Sequence, residues 1–148
     1  QAAKDCYALG IPLSAFYVIG MPGETKGDIQ QTLNLAYRLM KEYNVTPHVN
    51  IANPLIGTEL YETAKAKGYL VDEDYTKGFI FGTGRIKTEE FSPEDLKQMS
   101  TEFYKKVKKL YMVKMIKNPR RIARNIKTFI RYPKSSLRLI KIASKYTA

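Results

Sequence analysis

Two short segments hold residues whose types and spacing could do chemistry. The first is Gly20-Met21-Pro22-Gly23-Glu24-Thr25, directly after the apolar run Phe16-Tyr17-Val18-Ile19. A glycine that ends a strand lets a ligand or a second backbone approach closely. A glycine just ahead of a helix N-terminus leaves backbone N–H groups facing outward, where they can meet a polar ligand. No Gly-Lys-Ser/Thr is present, so this turn is not a phosphate-binding P-loop. The second segment, Asn53-Pro54-Leu55-Ile56-Gly57-Thr58-Glu59-Leu60-Tyr61, follows about one strand–helix unit later. Taken as bare patterns, both are also what a strand-to-helix turn of any α/β domain looks like.

The remaining reactive side chains offer less. Cys6 is the only cysteine, which excludes a disulfide framework and any self-contained Cys-rich metal site. Its expected role is that of a small buried hydrophobe. His48 is the only histidine and has no visible partner for metal or acid–base work, so a structural place on a strand is expected. Asp72-Glu73-Asp74 reads as a solvated loop, because three adjacent carboxylates do not define a cation site. The 11 tyrosines read as packing groups. No catalytic and no metal-ligating residue is assigned.

The elements that must position these segments follow from periodicity. Ala2 to Leu9 reads as the last turns of a helix with Gly10 just past its end. The chain opens on Gln1 inside that pattern, so it is expected to be a portion of a longer chain. Residues 14–20 are a short β-branched and aromatic run, expected to be a strand buried on both faces, as in a parallel sheet. Thr25 and Asp28 form a capping-box pattern. Ile29, Leu33, Ala36, Tyr37 and Met40 then recur at helical spacing. Val45 to Asn53 is a second strand, Thr58 an N-cap, and Gly68 a helix stop. Strand, helix, strand, helix predicts parallel βα units. A short strand at Phe79-Ile80-Phe81 is also expected. Ser92-Pro93-Glu94-Asp95 opens a helix whose stripe is Leu96, Met99, Phe103, Val107, Leu110 and Tyr111. Breaks at Asn118-Pro119 and Tyr132-Pro133 separate two further helices, with stripes Ile122, Ile126, Phe129, Ile130 and then Leu137, Ile140, Ser144.

Charge divides the chain unevenly. Its net charge is +11, yet residues 103–148 hold 15 basic and no acidic side chains. The preceding 102 residues are therefore net −4, and the basicity belongs to a tail. A division into residues 1–91 and a basic helical extension over 92–148 is expected. No apolar run is long enough to span a bilayer, and no secretory signal opens the sequence. A cytoplasmic setting, in part peripheral to a membrane, is the default.

Together, Gly20 to Thr25 and Pro54 to Tyr61 resemble the C-terminal part of radical S-adenosylmethionine enzymes. That family often shows a strand ending Ile-Gly-x-Pro-Gly-Glu-Thr, then a strand and Pro-x-x-Gly-Thr-x-Leu-Tyr. Lys65-Ala66-Lys67-Gly68-Tyr69-Leu70, Ser92-Pro93-Glu94-Asp95-Leu96 and Phe103-Tyr104 continue the likeness over roughly residues 1–115. It implies the last two βα units of a partial (β/α)6 TIM-like barrel, followed by basic amphipathic helices. Residues 14–20 would be the fifth strand and 48–53 the sixth, with the site at their C-terminal ends. Residue by residue, Val18, Gly20, Gly23 and Glu24 take the positions that hold the adenosine part of S-adenosylmethionine, and Ile51 a sixth-strand contact to adenine. Phe16 stands where the family motif has an early glycine.

The family's [4Fe–4S] cluster is bound through Cys-x-x-x-Cys-x-x-Cys, which this sequence lacks. Such a cluster needs several thiolates. The chain is therefore expected to be non-catalytic alone and to work with the remainder of a parent enzyme. The basic tail is similar to that of cobalamin-binding members, which makes cobalamin a further cofactor under this resemblance. Three readings of residues 103–148 stand beside it: a solvated extension, attachment to an anionic membrane surface, and contact with nucleic-acid phosphates. In the rival view the whole chain is such a basic interaction module and its βα front only a scaffold. Two strands without barrel neighbours are also expected to be covered by the tail helices, or to self-associate through open edges.

Overall fold

The computed structural model describes residues 1–71, 84–116, 129–131 and 133. The elements run α1 (Ala2–Ala8), β1 (Ser14–Ile19), α2 (Lys26–Tyr43), β2 (Thr46–Ile51), α3 (Glu59–Ala66) and α4 (Pro93–Ile116). β1 and β2 pair in parallel, Ser14 opposite Thr46 through Ile19 opposite Ile51. Two parallel neighbours joined by a helix make a βαβ unit, the connection that parallel pairing requires.

Each element starts and stops on local chemistry. Thr25 caps α2 reciprocally: its hydroxyl accepts from the Asp28 N–H at 3.2 Å, and the Asp28 carboxylate accepts from the Thr25 N–H at 2.9 Å. The Thr25 hydroxyl and N–H together hold the Asp28 carboxyl below its ordinary pKa. Asn44 ends the helix in the left-handed region at φ 55°. Thr58 caps α3 by accepting from the Tyr61 N–H at 3.3 Å. Gly10 and Gly68, at φ 70° and 67°, follow α1 and α3 as the sequence predicts.

Ile29, Leu33, Ala36 and Met40, at spacings of 4, 3 and 4, form the buried stripe of α2. They cover the sheet face that carries Ile19 and Val49, both buried. α3 adds Tyr61 and Ala64 to the core. α1 buries no residue and meets α2 through an edge-on contact of the Tyr7 and Tyr43 rings, 6.1 Å between centroids. Beyond α3, residues 69–71 and 85–87 run antiparallel, with the Lys87 N–H donating to the Tyr69 carbonyl at 2.8 Å.

One expectation is corrected. β1 is covered on one face only, although its residues are apolar on both. Ala15, Tyr17 and Ile19 lie on the helix side, while Phe16 and Val18 are 72% and 51% exposed. A continuous apolar strand needs cover on two sides, and among the described residues only α2 provides it. The chain also divides into two compact units, Gln1–Phe103 and Tyr104–Ala148. The division falls inside α4 because Leu96 and Phe103, in its first turns, are core residues of the first unit. The expected strand at 79–81, the acidic run at 72–74, the helix break at 118–119, and the stripes through Ile122, Ile126, Leu137, Ile140 and Ser144 lie outside the described residues.

The α2 cap carries a measurable consequence. Thr25→Ala is expected to lower the unfolding free energy by about 1 kcal/mol in urea titration, and Thr25→Ser by no more than a few tenths.

Candidate functional site

The C-terminal ends of β1 and β2 lie side by side, and three loops meet there. Gly20 leaves β1 at φ +85°, a conformation that side chains rarely adopt. The chain then turns so that the Glu24 N–H donates to the Met21 carbonyl at 3.1 Å. One oxygen of the Glu24 carboxylate accepts from the Gly20 N–H at 2.7 Å and the Met21 N–H at 2.8 Å. Charge-assisted bonds of this kind are among the stronger ones in a protein. They fix the turn before any ligand arrives. Gly23 sits at its outer side at φ +99° with open space beside it.

The segment before α4 closes over this turn. A Cβ on Gly20 would come within 2.6 Å of the Leu96 side chain, and Leu96 is fully buried. A Cβ on Gly84 would lie 3.2 Å from the Ile51 side chain and 3.5 Å from Leu96. The α4 terminus is itself capped in both directions: the Ser92 N–H donates to Asp95 at 2.9 Å, and the Asp95 N–H donates to the Ser92 hydroxyl at 3.1 Å. Lys26, the first residue of α2, reaches the other Asp95 oxygen at 3.0 Å. The Ser92 backbone N–H, then the Lys26 ammonium and the Ser92 hydroxyl, hold the Asp95 carboxyl at a pKa of about 2.

The expected site residues are only partly brought together. Gly20, Gly23 and Glu24 share one turn. Val18 lies on the open sheet face, beside the stacked rings of Phe16 and His48, whose centroids are 4.7 Å apart. Ile51 pairs with Ile19 and so belongs to the other face, whereas the β2 partner of Val18 is Asn50. A group resting on Val18 therefore meets Asn50 and His48 before Ile51. Period-two alternation separates Asn50 from Ile51 in the sequence, and the register decides which of them shares the face of Val18. Asn53, just past β2, has a buried Oδ1 without a hydrogen-bond donor among the described residues. The Tyr17 hydroxyl on the helix side is likewise unpartnered there, and burial raises its pKa. Neither signal is readable from residue type. Cys6 lies half-buried on α1, and no group of three or more potential metal ligands occurs among the described residues.

Gly20→Ala is expected to destabilise the chain by more than about 1 kcal/mol, through both the positive φ and the Leu96 contact. Leu96→Ala alone should cost about 2–5 kcal/mol. The double variant should be more stable than the sum of the two losses, because the smaller side chain removes the clash. A strictly additive cycle in denaturant titration would place Leu96 elsewhere.

For Asp95, the folded pKa lies below the ordinary value of 3.8. Its stabilising contribution is thus complete above the unfolded pKa and fades as pH falls from about 4 toward about 2. The stability difference between the wild type and Asp95→Asn should shrink over that window and stay constant between about pH 5 and 7.

No protein-family model, no curated protein and no solved structure matches this chain.

Proposed function

We propose that this chain supplies the C-terminal βα units of a radical S-adenosylmethionine fold, where it holds the adenosine end of that molecule. The observation that carries the reading is the Gly20–Glu24 turn at the end of a parallel strand, tied by the Glu24 carboxylate to two backbone N–H groups. A turn preorganised in this way presents its outer rim without rearrangement, which lowers the cost of binding.

The residues present fit an adenosine. The open face gives it Val18 and the Phe16–His48 ring pair as an apolar and aromatic floor. In this reading Gly20 and Glu24 position the turn, while Val18 and Gly23 meet the ligand. Leu96 and Gly84 close the strand ends behind it.

The [4Fe–4S] cluster does not fit this chain, because Cys6 is its only thiol and the cluster needs several. The chain would therefore complete a partial barrel whose cluster-binding strands belong to the rest of a parent enzyme. When bound there, the cluster supplies the electron that starts the family's radical chemistry.

The test is S-adenosylmethionine binding by the parent protein, reconstituted without oxygen. Wild type should bind. Glu24→Ala should weaken binding about tenfold, because the turn it fixes would then have to be ordered on binding. A parent reading frame without Cys-x-x-x-Cys-x-x-Cys, or a wild-type protein that does not bind, would overturn the proposal.

A further inference from the structure

The second half of α4 carries a surface that the ligand reading does not use. Lys105, Lys109, Met112 and Ile116 follow one another at spacings of 4, 3 and 4, so they share one face of the helix. All four are exposed, and Ile116 is 67% exposed. Lys106, Lys108 and Val113 flank them and are exposed as well. Val107 and Leu110, on the opposite side, are half-buried. The helix thus has a packed side and an outward side, and the outward side is neither purely polar nor purely apolar. Its first turns are lysine and its last turns are Met112, Val113 and Ile116.

We propose that this face docks α4 on an anionic lipid bilayer. Charge complementarity commits it to a negative partner, since no acidic side chain occurs anywhere in residues 103–148. The exposed apolar end selects lipid over nucleic acid. Phosphates of a duplex would satisfy Lys105, Lys106, Lys108 and Lys109, but would leave Met112, Val113 and Ile116 in water. An interface has both halves: headgroups for the lysines, and acyl chains within about 5–10 Å for the apolar end. The long lysine stems let the ammonium groups reach outward while the apolar side chains enter. Phe129 and Ile130, 40% and 73% exposed, with the exposed Arg131, offer the same pairing of apolar and cationic groups elsewhere in the second unit. No described helix is long and apolar enough to cross the membrane, so the attachment is to its surface.

The test uses the whole 148-residue chain and vesicles of phosphatidylcholine with and without phosphatidylserine. Partition onto the phosphatidylserine vesicles at low ionic strength, and release by salt, is the expected result. Lys105→Gln with Lys109→Gln should lower the partition coefficient about 30-fold, the sum of two charges near an anionic surface. Met112→Ser with Ile116→Ser keeps every charge and should still lower it about tenfold, through lost apolar burial. Both pairs are surface changes, and helical circular dichroism should be unaltered. Equal partition onto pure phosphatidylcholine, or none at low ionic strength, overturns the proposal. So does an unchanged affinity of the serine pair. Retention on double-stranded DNA without retention on vesicles assigns the lysines to a phosphate backbone instead. None of these outcomes bears on S-adenosylmethionine binding, so the two proposals fail separately.

Discussion

The contact between Leu96 and Gly20 organises everything above the strand ends. Because Gly20 lacks a Cβ, a leucine from a distant helix can sit on the backbone where β1 ends. That seat draws the first turn of α4 toward the start of α2, close enough for Lys26 and Asp95 to pair. It also brings Gly84 against Ile51, at the end of the second strand. The ion pair is partly exposed and therefore of small worth by itself. The buried leucine holds the arrangement, and the charges only refine it. The space beside Gly20 is thus already used by the protein, and the same holds for its N–H, which Glu24 occupies.

A second constraint works in the opposite sense. Phe16 and Val18 lie on a face that the described residues leave open, although their types would suit an interior. Two parallel strands bury too little apolar surface to be stable alone, so this front depends on the cover that α2 gives one of its faces. The stacking of Phe16 on His48 covers some ring area within the exposed face itself. Such a surface suits either a flat aromatic ligand or further strands.

Much of the architecture was legible in the sequence because its signals are local. Thr25, Asp28, Thr58, Ser92 and Asp95 announce helix starts through side-chain chemistry that needs no distant partner, and the structure places each at its cap. The α2 stripe from Ile29 to Met40 follows from helical spacing alone. What could not be read depends on contacts far apart in sequence. Nothing in the type of Leu96 says that it rests on Gly20, 76 positions earlier. Residue type also misled at β1, where an apolar strand implied two covered faces and one is open. For the site, the turn residues were recognisable as a group. The separation of Val18 from Ile51 came only with the strand register.

That register has a further consequence for how the sheet can be observed. In a parallel ladder, alternate residues of a strand direct their amides to one neighbour and then to the other. β1 has one such neighbour among the described residues, so half of its amides point away from β2. Amide exchange along Ser14–Ile19 should then alternate between slow and fast with a period of two. Adding a strand on the far side of β1 would convert its alternating trace into a continuous one. The completeness of the sheet would thereby become visible as a periodicity in time rather than as a shape.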